Sequence, residues 1–298
     1  MTTWRVALAE SARRVGDPME ARRIVEYVLA ETGAGSPAQR LLSDTMPAGS
    51  EARLDDLVTR RAGGEPLQHV LGGWGFRHLD VLVDGRALVP RPETEQLTQH
   101  ALTQLDRISD ERPGRPLLAA DLGTGSGVVA LSLAAERDGV EVFAVDKSST
   151  ALALAADNLA RQEQPVAARV RLLEGDWFSG LPPDLAGELA VVVSNPPYLA
   201  ADEWYGLDPV VRDYDPYEAL VAGPTGLEAS ATLVRTAALW LQPGGALVVE
   251  VAPHQRDAVL DLVAGCGLAY SEAHVERDLA GRYRVLVART PESRRVQL

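Results

Sequence analysis

Short apolar runs alternate with helical patterns from about residue 117 to the end of the chain. Each run is four to six residues long and is followed by a segment with helical spacing of apolar positions. Such alternation is typical of a mostly parallel sheet with helices on both faces. We therefore predict an α/β domain. Its strands are predicted at 117–120, 140–145, 170–173, 189–193, 246–251 and 283–288.

The first sixty-odd residues have a helical pattern throughout. Apolar residues recur at helical spacing, as in Ile24-Val25 and Val28-Leu29. Several positions supply a capping side chain or an early proline, as a helix start requires. This part of the chain is predicted to be a small helical bundle. Its helix starts are predicted at Asp17-Pro18, Ser36-Pro37 and Ser50-Glu51.

The pattern changes again between Gly72 and Pro92. Here Val81-Leu82-Val83 and Leu88-Val89 flank the turn-like dipeptide Asp84-Gly85, which predicts a β-hairpin with its turn at that dipeptide. A helix is predicted to follow from about Glu93 to Leu105, and residues 107–116 are predicted to form a loop.

Length and composition indicate a folded protein of more than one domain. The chain has 298 residues, of which 46% are hydrophobic and 24% charged, so a largely disordered protein is excluded and two domains are expected. The single cysteine, Cys266, excludes an intrachain disulfide and a cysteine cluster for zinc, and the histidines show no metal-site spacing, so no metal is expected.

The same composition favours a cytoplasmic protein. A single cysteine suits a reducing compartment, the first residues lack the features of a signal peptide, and no apolar run approaches the ~20 residues that span a bilayer. The net charge of -13, most of it carried after residue 75, disfavours extensive contact with duplex DNA. Neither a membrane nor a nucleic acid is therefore expected as a direct partner, and a monomer is expected.

A glycine-rich segment, Asp121-Leu122-Gly123-Thr124-Gly125-Ser126-Gly127, follows the first predicted strand of the α/β domain and opens a helix. Glycines there allow a tight turn and a close approach of a ligand to the backbone. The alternative is a tight strand-to-helix turn that binds no ligand. Taken alone, this motif does not decide between the two.

Asp146 ends the next strand, 19 residues after Gly127. Dinucleotide-type folds place an acidic residue at this spacing to bind the ribose hydroxyls. The alternative is that Asp146 helps to cap the helix beginning near Ser148. The coincidence with the glycine segment favours the ribose role.

Glu174-Gly175-Asp176-Trp177 follows the third predicted strand, on the same rim of the sheet. An acidic residue beside an aromatic one could bind the adenine amino group and cover its ring. A surface turn with a partly buried tryptophan explains the pattern equally well, so the cofactor role rests on the position alone.

The most informative motif is Asn195-Pro196-Pro197-Tyr198, directly after the apolar strand 189–193. An amide nitrogen is a poor nucleophile because its lone pair is delocalised, so an enzyme that methylates it must orient it and stabilise the developing positive charge. The side-chain oxygen of Asn195 and the carbonyl of Pro196 can accept from such an NH2 group, the prolines stiffen the loop, and Tyr198 can pack on the planar group. A plain strand-to-loop turn is the alternative.

Several motifs together resemble the protein-(glutamine-N5) methyltransferases of class I peptide chain release factors, the PrmC or HemK family. The resemblance extends over almost the whole chain, and its most specific element is the Pro-Arg-Pro-Glu-Thr-Glu segment. The matching motifs are residues 88–95, 121–127, 144–146, 176–178, 193–198 and 278–282.

This resemblance implies a fold and a domain organisation. The fold is a Rossmann-like class I S-adenosylmethionine (SAM)-dependent methyltransferase domain, with a mostly parallel seven-stranded sheet whose last strand is antiparallel. Residues 1–72 are expected to bind the release factor, 73–92 to form a hairpin linker and 93–298 to form the methyltransferase domain.

The resemblance also implies the ligands. The expected substrate is the glutamine of the Gly-Gly-Gln loop of the release factor, and the expected methyl donor is SAM. The residues carried over to SAM are Gly123, Thr124, Gly125, Ser126, Gly127, Asp146, Trp177 and Asn195, and those carried over to the glutamine amide are Asn195, Pro196, Pro197 and Tyr198.

The chain departs from the family pattern at two places. Tyr214-Asp215-Pro216-Tyr217 stands where the family usually has Tyr-Glu-Pro-Arg, and Val251-Ala252-Pro253-His254 follows Glu250 where Glu-His-Gly is commoner. The first segment is expected to lie outside the donor site. Arg91, Glu93 and Asp278 match the family, and an entrance-shaping or structural role is the simpler reading for them.

Three other functions remain open from the sequence. An adenine-N6 methyltransferase of DNA or RNA shares the Asn-Pro-Pro-Tyr motif because its target is also a planar amino group. A glutamine methyltransferase of a ribosomal protein fits equally well, and a SAM-binding adaptor without catalysis is the non-enzymatic alternative. Net charge opposes the first, and the presence of Asn195 and Asp146 opposes the last.

Overall fold

The computed structural model of the protein describes residues 2–33 and 45–293. Its contacts divide the chain into two compact units. The first comprises Met1–Trp74 and Asp208–Tyr214, and the second comprises Gly75–Leu207 and Asp215–Leu298. Within the described ranges, no helix combines the length and the apolar character that crossing a membrane requires.

The first unit is helical, as the sequence predicts. Asp17 caps its second helix by accepting from the backbone of Met19 and Glu20, as expected. A later helix begins at Ser50, but the serine side chain does not cap it, because Gly49 occupies the N-cap position. The predicted start at Ser36-Pro37 lies outside the described residues. The helices are α1 Trp4–Val15, α2 Pro18–Glu31, α3 Ser50–Ala62 and α4 Leu67–Leu71.

The core of this unit follows the helical spacing seen in the sequence. All four apolar residues of α2 named above are at most 1% exposed, and they belong to the same buried cluster as Trp4, which is fully buried. Burying such side chains contributes about 1.5–3 kcal/mol each, so the apolar faces hold the helices together.

The hairpin is present, but its predicted turn is wrong. Strands β1 (Gly73–Phe76) and β2 (Leu79–Leu82) form a two-stranded sheet, and the turn is at Arg77-His78. Arg77 adopts a left-handed φ of 51°. Within the second unit its guanidinium donates to Glu136 at 2.6 Å, and this tertiary ion pair fixes a turn that local propensity does not favour.

The second unit is built on a seven-stranded sheet, whose strands are β3 Leu117–Leu122, β4 Val140–Asp146, β5 Val170–Glu174, β6 Leu189–Ser194, β9 Leu241–Glu250, β10 Glu272–Arg277 and β11 Tyr283–Arg289. Their order in the sheet is β10-β11-β9-β6-β3-β4-β5. The last strand, β11, runs antiparallel to both of its neighbours, and the pairs β3–β4, β4–β5, β3–β6 and β6–β9 are parallel. The predicted sheet is confirmed.

Two strand features were not predicted. β10 lies at the edge of the sheet, where only Val275 is buried, so it lacks the continuous apolar run of a central strand. A small parallel pair, β7 (Leu199–Ala200) and β8 (Val221–Gly223), forms beyond the main sheet.

Helices cover both faces of the sheet. The helix predicted for 93–105 instead spans Pro92–Glu111, because Leu105 and Ile108 continue its buried face, so part of the predicted loop at 107–116 is helical. The helices of the second unit, with one short helix of the first at 209–212, are α5 Pro92–Glu111, α6 Val128–Glu136, α7 Ser149–Leu159, α8 Gln164–Ala167, α9 Pro209–Arg212, α10 Tyr217–Leu220, α11 Glu228–Trp240 and α12 Arg256–Gly265.

Candidate functional site

A cleft in the second unit lies where the carboxyl ends of four adjacent parallel strands meet. The chain passes from β3 outward to β4 and β5 and then returns to the other side of β3 as β6, so the strand order reverses between β3 and β6. Ligands of open α/β sheets bind at such a reversal. The loops that follow β3, β4, β5 and β6 all contribute residues to the cleft.

The glycine loop after β3 forms the floor of the cleft. Gly123 and Gly125 line it with left-handed φ values of 74° and 57°, conformations that L-residues rarely adopt. The backbone N–H groups of Gly123 and Thr124 both donate to the carbonyl of Val145 in β4, at 2.8 and 2.9 Å. The loop is therefore held against the neighbouring strand.

Asp121 holds this loop in place through hydrogen bonds. The sequence did not identify it as a functional residue. Its Oδ2 accepts from the Thr124 hydroxyl at 2.6 Å and from the backbone N–H of Ala130 at 3.1 Å. The residue is 1% exposed, and burial raises the pKa of its carboxyl to about 7 against the opposing effect of those two hydrogen bonds.

Gly127 does not line the cleft, unlike residues 123–126 of the glycine segment. A Cβ at this position would lie 3.2 Å from the Cβ of Ala155 in α7. Its φ of 84° and this contact indicate that glycine is needed there for close packing of the loop against α7.

Asp146 lies at the end of β4, in the wall of the cleft. One carboxylate oxygen accepts from the backbone N–H of Gly125 and the other from that of Ser148, each at 2.8 Å. Ser148 itself caps α7 through its hydroxyl. Asp146 thus joins the glycine loop to the start of α7, and each carboxylate oxygen retains acceptor capacity for a ligand hydroxyl.

Trp177 lies over the glycine loop. A Cβ on Gly123 would be 3.5 Å from the indole ring, and Trp177 itself has an unusual left-handed φ of 52°. The turn that carries it depends on a close backbone approach, since a Cβ on Gly175 would be 2.3 Å from the Cα of Gly180. The indole therefore forms a fixed aromatic wall of the cleft.

Asn195 follows β6 directly and lines the cleft from the opposite side. Its Nδ2 donates to the hydroxyl of Thr94 at 3.0 Å, and that hydroxyl donates to Oε2 of Glu250 at 2.9 Å. The Oδ1 of Asn195 is buried and has no hydrogen-bond partner among the described residues. A buried acceptor without a donor is costly, so a ligand N–H that supplied one would be bound favourably.

Only part of the rest of the Asn-Pro-Pro-Tyr motif lines the cleft. Pro197 lines the cleft, whereas Pro196 and Tyr198 are not among its lining residues. The carbonyl of Tyr198 accepts from Nε2 of Gln255 at 2.9 Å, and burial raises the pKa of the Tyr198 phenol. The segment that follows Glu250 thus holds the backbone of the motif in place through this hydrogen bond.

One wall of the cleft was not predicted. Residues 86–91 contribute to it together with Pro216, Glu218 and Ala219. The segment that departs from the family pattern therefore reaches the cleft through Pro216, whereas Asp215 and Tyr217, the residues that differ, do not line it. The two segments are joined by Asp215, whose carboxylate accepts from Arg91 at 2.5 Å and from the backbone N–H of Val89 at 3.1 Å. The sequence alone does not show these contacts, because Asp215 lies 124 residues from Arg91 and 126 residues from Val89.

The structure therefore brings most of the predicted residues into one cleft. Gly127, Pro196 and Tyr198 adjoin it without lining it. In the ranges 2–33 and 45–293, no group of three or more His, Cys, Asp or Glu side chains is arranged to hold a metal ion. The predicted residues that line the cleft are Gly123, Thr124, Gly125, Ser126, Asp146, Trp177, Asn195 and Pro197.

Two sequence families match separate parts of the chain. Residues 7–72 match the PrmC N-terminal domain, and residues 105–205 match the methyltransferase small domain. Among solved structures, the hMettl16 catalytic domain in complex with MAT2A 3′UTR hairpin 6 superimposes with a TM-score of 0.55, covering 86% of each chain. At 12% identity this likeness concerns the fold alone. These matches and the observed sheet confirm the Rossmann-like fold of a class I SAM-dependent methyltransferase.

Full-length relatives are more informative. A release factor glutamine methyltransferase of Cereibacter sphaeroides is 39% identical over 277 residues, which cover 91% of this chain and 92% of the relative. Another, of Moorella thermoacetica, is 37% identical over 290 residues, which cover 96% and 98%. Since these alignments extend over nearly all of both chains, this chain belongs to the release factor glutamine methyltransferase family.

Proposed function

We propose that this protein methylates the side-chain amide nitrogen, N5, of the glutamine in the Gly-Gly-Gln loop of class I peptide chain release factors, with SAM as methyl donor, and thereby supports translation termination. Membership of the family supports the substrate. The single structural observation that carries the chemistry is the buried Oδ1 of Asn195, an acceptor without a donor, beside an Nδ2 that is already engaged.

The proposed chemistry follows from what an amide NH2 group needs. It brings two N–H donors and must develop positive charge on a nitrogen whose lone pair is delocalised. Oδ1 of Asn195 and the backbone carbonyl of Pro196 can each accept one N–H, which orients the nitrogen and stabilises the developing charge. Pro196 and Pro197 fix the backbone that presents these two acceptors. A stacking role for Tyr198 stays a prediction, since its side chain is not part of the cleft lining.

The cleft residues fit SAM. Gly123 and Gly125 leave the cleft floor free of side chains, and a Cβ at Gly123 would instead abut the Trp177 ring. We assign the methionine portion to the glycine loop of residues 123–126, the ribose hydroxyls to Asp146 and the adenine to Trp177. When bound, SAM would supply a methyl group on a positively charged sulfonium, and the acidic side chains of Asp121 and Asp146 line the same cleft.

The helical first unit is proposed to contact the release factor, with residues 1–72 as the binding domain, 73–92 as the linker and 93–298 as the catalytic domain. We further propose that the protein acts as a monomer in the cytoplasm, on a protein substrate, without direct contact to nucleic acid. The net charge of -13 supports the last point, since a negatively charged protein is repelled by the phosphate backbone of a nucleic acid.

The proposal is tested by offering purified protein and methyl-labelled SAM three substrates in parallel: a release factor, the same factor with the loop glutamine replaced by alanine, and duplex DNA. Label is expected in the first only. Label in the DNA, or equal label in both release factors, would contradict the proposal. Asn195→Ala is expected to abolish transfer and to leave the Kd for SAM within about threefold, because Asn195 acts chiefly on the acceptor amide.

A further inference from the structure

Two buried residues, to which none of the motifs above assigns a role in binding or catalysis, form a chain of hydrogen bonds with Asn195. Thr94 belongs to the Pro-Arg-Pro-Glu-Thr-Glu segment and is 3% exposed, and Glu250 ends β9 and is 1% exposed. We propose that Thr94 and Glu250 are positioning residues, which hold the Asn195 side-chain amide in the one orientation that leaves its oxygen free for the substrate. This inference rests on the proposed function and deepens it.

The orientation of Asn195 matters because its two ends have almost the same shape and opposite hydrogen-bonding character. The substrate amide brings two donors, so it needs the oxygen of Asn195. After rotation by half a turn, Asn195 would offer its own NH2 group, donor against donor, and the substrate nitrogen would lose one of its two acceptors. Something must therefore select between the two orientations.

Thr94 makes this selection because of the direction of its hydrogen bonds. A hydroxyl has one hydrogen and two lone pairs, and a carboxylate only accepts. The Thr94 hydrogen is donated to Glu250 at 2.9 Å, so only the lone pairs of Thr94 remain for Asn195. Of the two ends of the Asn195 amide, only Nδ2 can donate to them, and it does so at 3.0 Å.

The chain is also rigid, as a positioning device must be. Its three members lie on α5, at the end of β6 and at the end of β9, and α5 packs directly against both strands. A rotation of Asn195 would leave the Thr94 lone pairs without a donor in a buried site.

The protonation of Glu250 makes the orientation of Asn195 sensitive to pH. The titratable and charged groups that face it are Arg91, Glu93, Tyr198 and Arg284. Burial raises the pKa of Glu250 to about 7, against the Thr94 hydrogen bond and Arg284, which favour the ionised form. Once protonated, Glu250 can donate to Thr94, which frees the Thr94 hydrogen to point at Asn195 and removes the selection.

Thr94→Val tests the hydrogen-bond chain, because it keeps the shape of the side chain and removes the hydroxyl. Its kcat with release factor is expected to fall about 10- to 100-fold, the loss of one buried, oriented hydrogen bond, with the Kd for SAM unchanged. Thr94→Ser is expected to restore kcat to within about threefold. Thr98→Val is the matched control, since it removes a buried threonine hydroxyl one turn along α5 that bonds only to backbone.

The outcomes separate this inference from the proposed function. The inference would be overturned by a Thr94→Val protein that binds SAM normally and has the same kcat as Thr98→Val. In that case, methylation of the release factor by the wild-type protein would still support the proposed function. A wild-type protein that labels no release factor would contradict the proposed function instead. Normal SAM binding shows that each variant is folded.

Glu250→Gln supplies a readout that a merely structural role would not move. Glutamine does not titrate and, like the protonated carboxyl, can donate to the Thr94 hydroxyl as well as accept from it. The wild-type kcat is expected to fall as pH drops through about 7, and Glu250→Gln is expected to lose this pH dependence and to have a kcat close to the low-pH value of the wild type. An unchanged pH dependence in Glu250→Gln, or a wild-type kcat that does not fall, would contradict the role assigned to Glu250.

Discussion

Replacing Gly127 with alanine distinguishes a packing role for this glycine from the cofactor contact that the sequence suggests. Gly127 precedes α6 with a φ of 84°, and an added Cβ would lie 3.2 Å from the Cβ of Ala155 and 3.6 Å from Cδ1 of Leu131. Gly139 provides a matched control. It has a similar φ of 77°, and a Cβ there would meet nothing within 4 Å.

The expected magnitudes follow from these two differences. The left-handed backbone costs an alanine roughly 1–2 kcal/mol at either position. Crowding a packed interior adds about 1–3 kcal/mol, and this second cost applies at Gly127 alone. Gly139→Ala should therefore lower the free energy of unfolding by roughly 1–2 kcal/mol and Gly127→Ala by about 2–5 kcal/mol.

Urea unfolding followed by circular dichroism measures both values, and a double-mutant cycle with Ala155→Gly isolates the contact. Ala155→Gly should cost about 1 kcal/mol in the wild type, as glycine does inside a helix, and clearly less beside Gly127→Ala, where it relieves the crowding. If Gly127→Ala and Gly139→Ala lose the same stability, or if the cycle shows no coupling, close packing is not the reason for the glycine.

Two further predictions concern the walls of the cleft. The pKa of Asp121 is about 7 in the folded state and 3.8 ordinarily, so between these pH values the folded state retains a proton that the unfolded state has released. The free energy of unfolding should then fall as pH rises through this window, and Asp121→Asn should remove up to ~4 kcal/mol of that dependence. Urea unfolding at pH 4 to 7 measures it, and the same slope of unfolding free energy against pH in the wild type and in Asp121→Asn would refute the prediction. Trp177→Ala should weaken SAM binding about tenfold in calorimetry through loss of the aromatic wall, and an unchanged Kd would show that adenine binds elsewhere.

The sequence was sufficient to predict the fold wherever a local pattern carries the information. Every residue of Leu189–Ser194 is buried, so this central parallel strand appears as a continuous apolar run. Edge strand β10 has no such run because most of its residues are partly exposed. The hairpin turn was misplaced because Asp84-Gly85 has turn propensity, whereas the actual turn at Arg77 depends on an ion pair with Glu136, 59 residues away.

The candidate site divides in the same way. Residues that belong to compact motifs, such as the glycine loop and Asn195, could be identified from their spacing after predicted strands. Thr94 and Glu250 could not be joined to Asn195, because the two hydrogen bonds connect residues 101 and 156 positions apart. Thr94 was visible as part of a conspicuous segment, but its partner appears only once α5 packs on β6 and β9.

The central claim is that Asn195 presents an acceptor to a glutamine amide nitrogen. It is tested most directly by mass spectrometry of a release factor after incubation with SAM and either wild-type protein or Asn195→Ala. We expect one methyl group on the side-chain nitrogen of the Gly-Gly-Gln glutamine with the wild type and none with the variant. A methyl group on any other residue, or the same modification with Asn195→Ala, would contradict it.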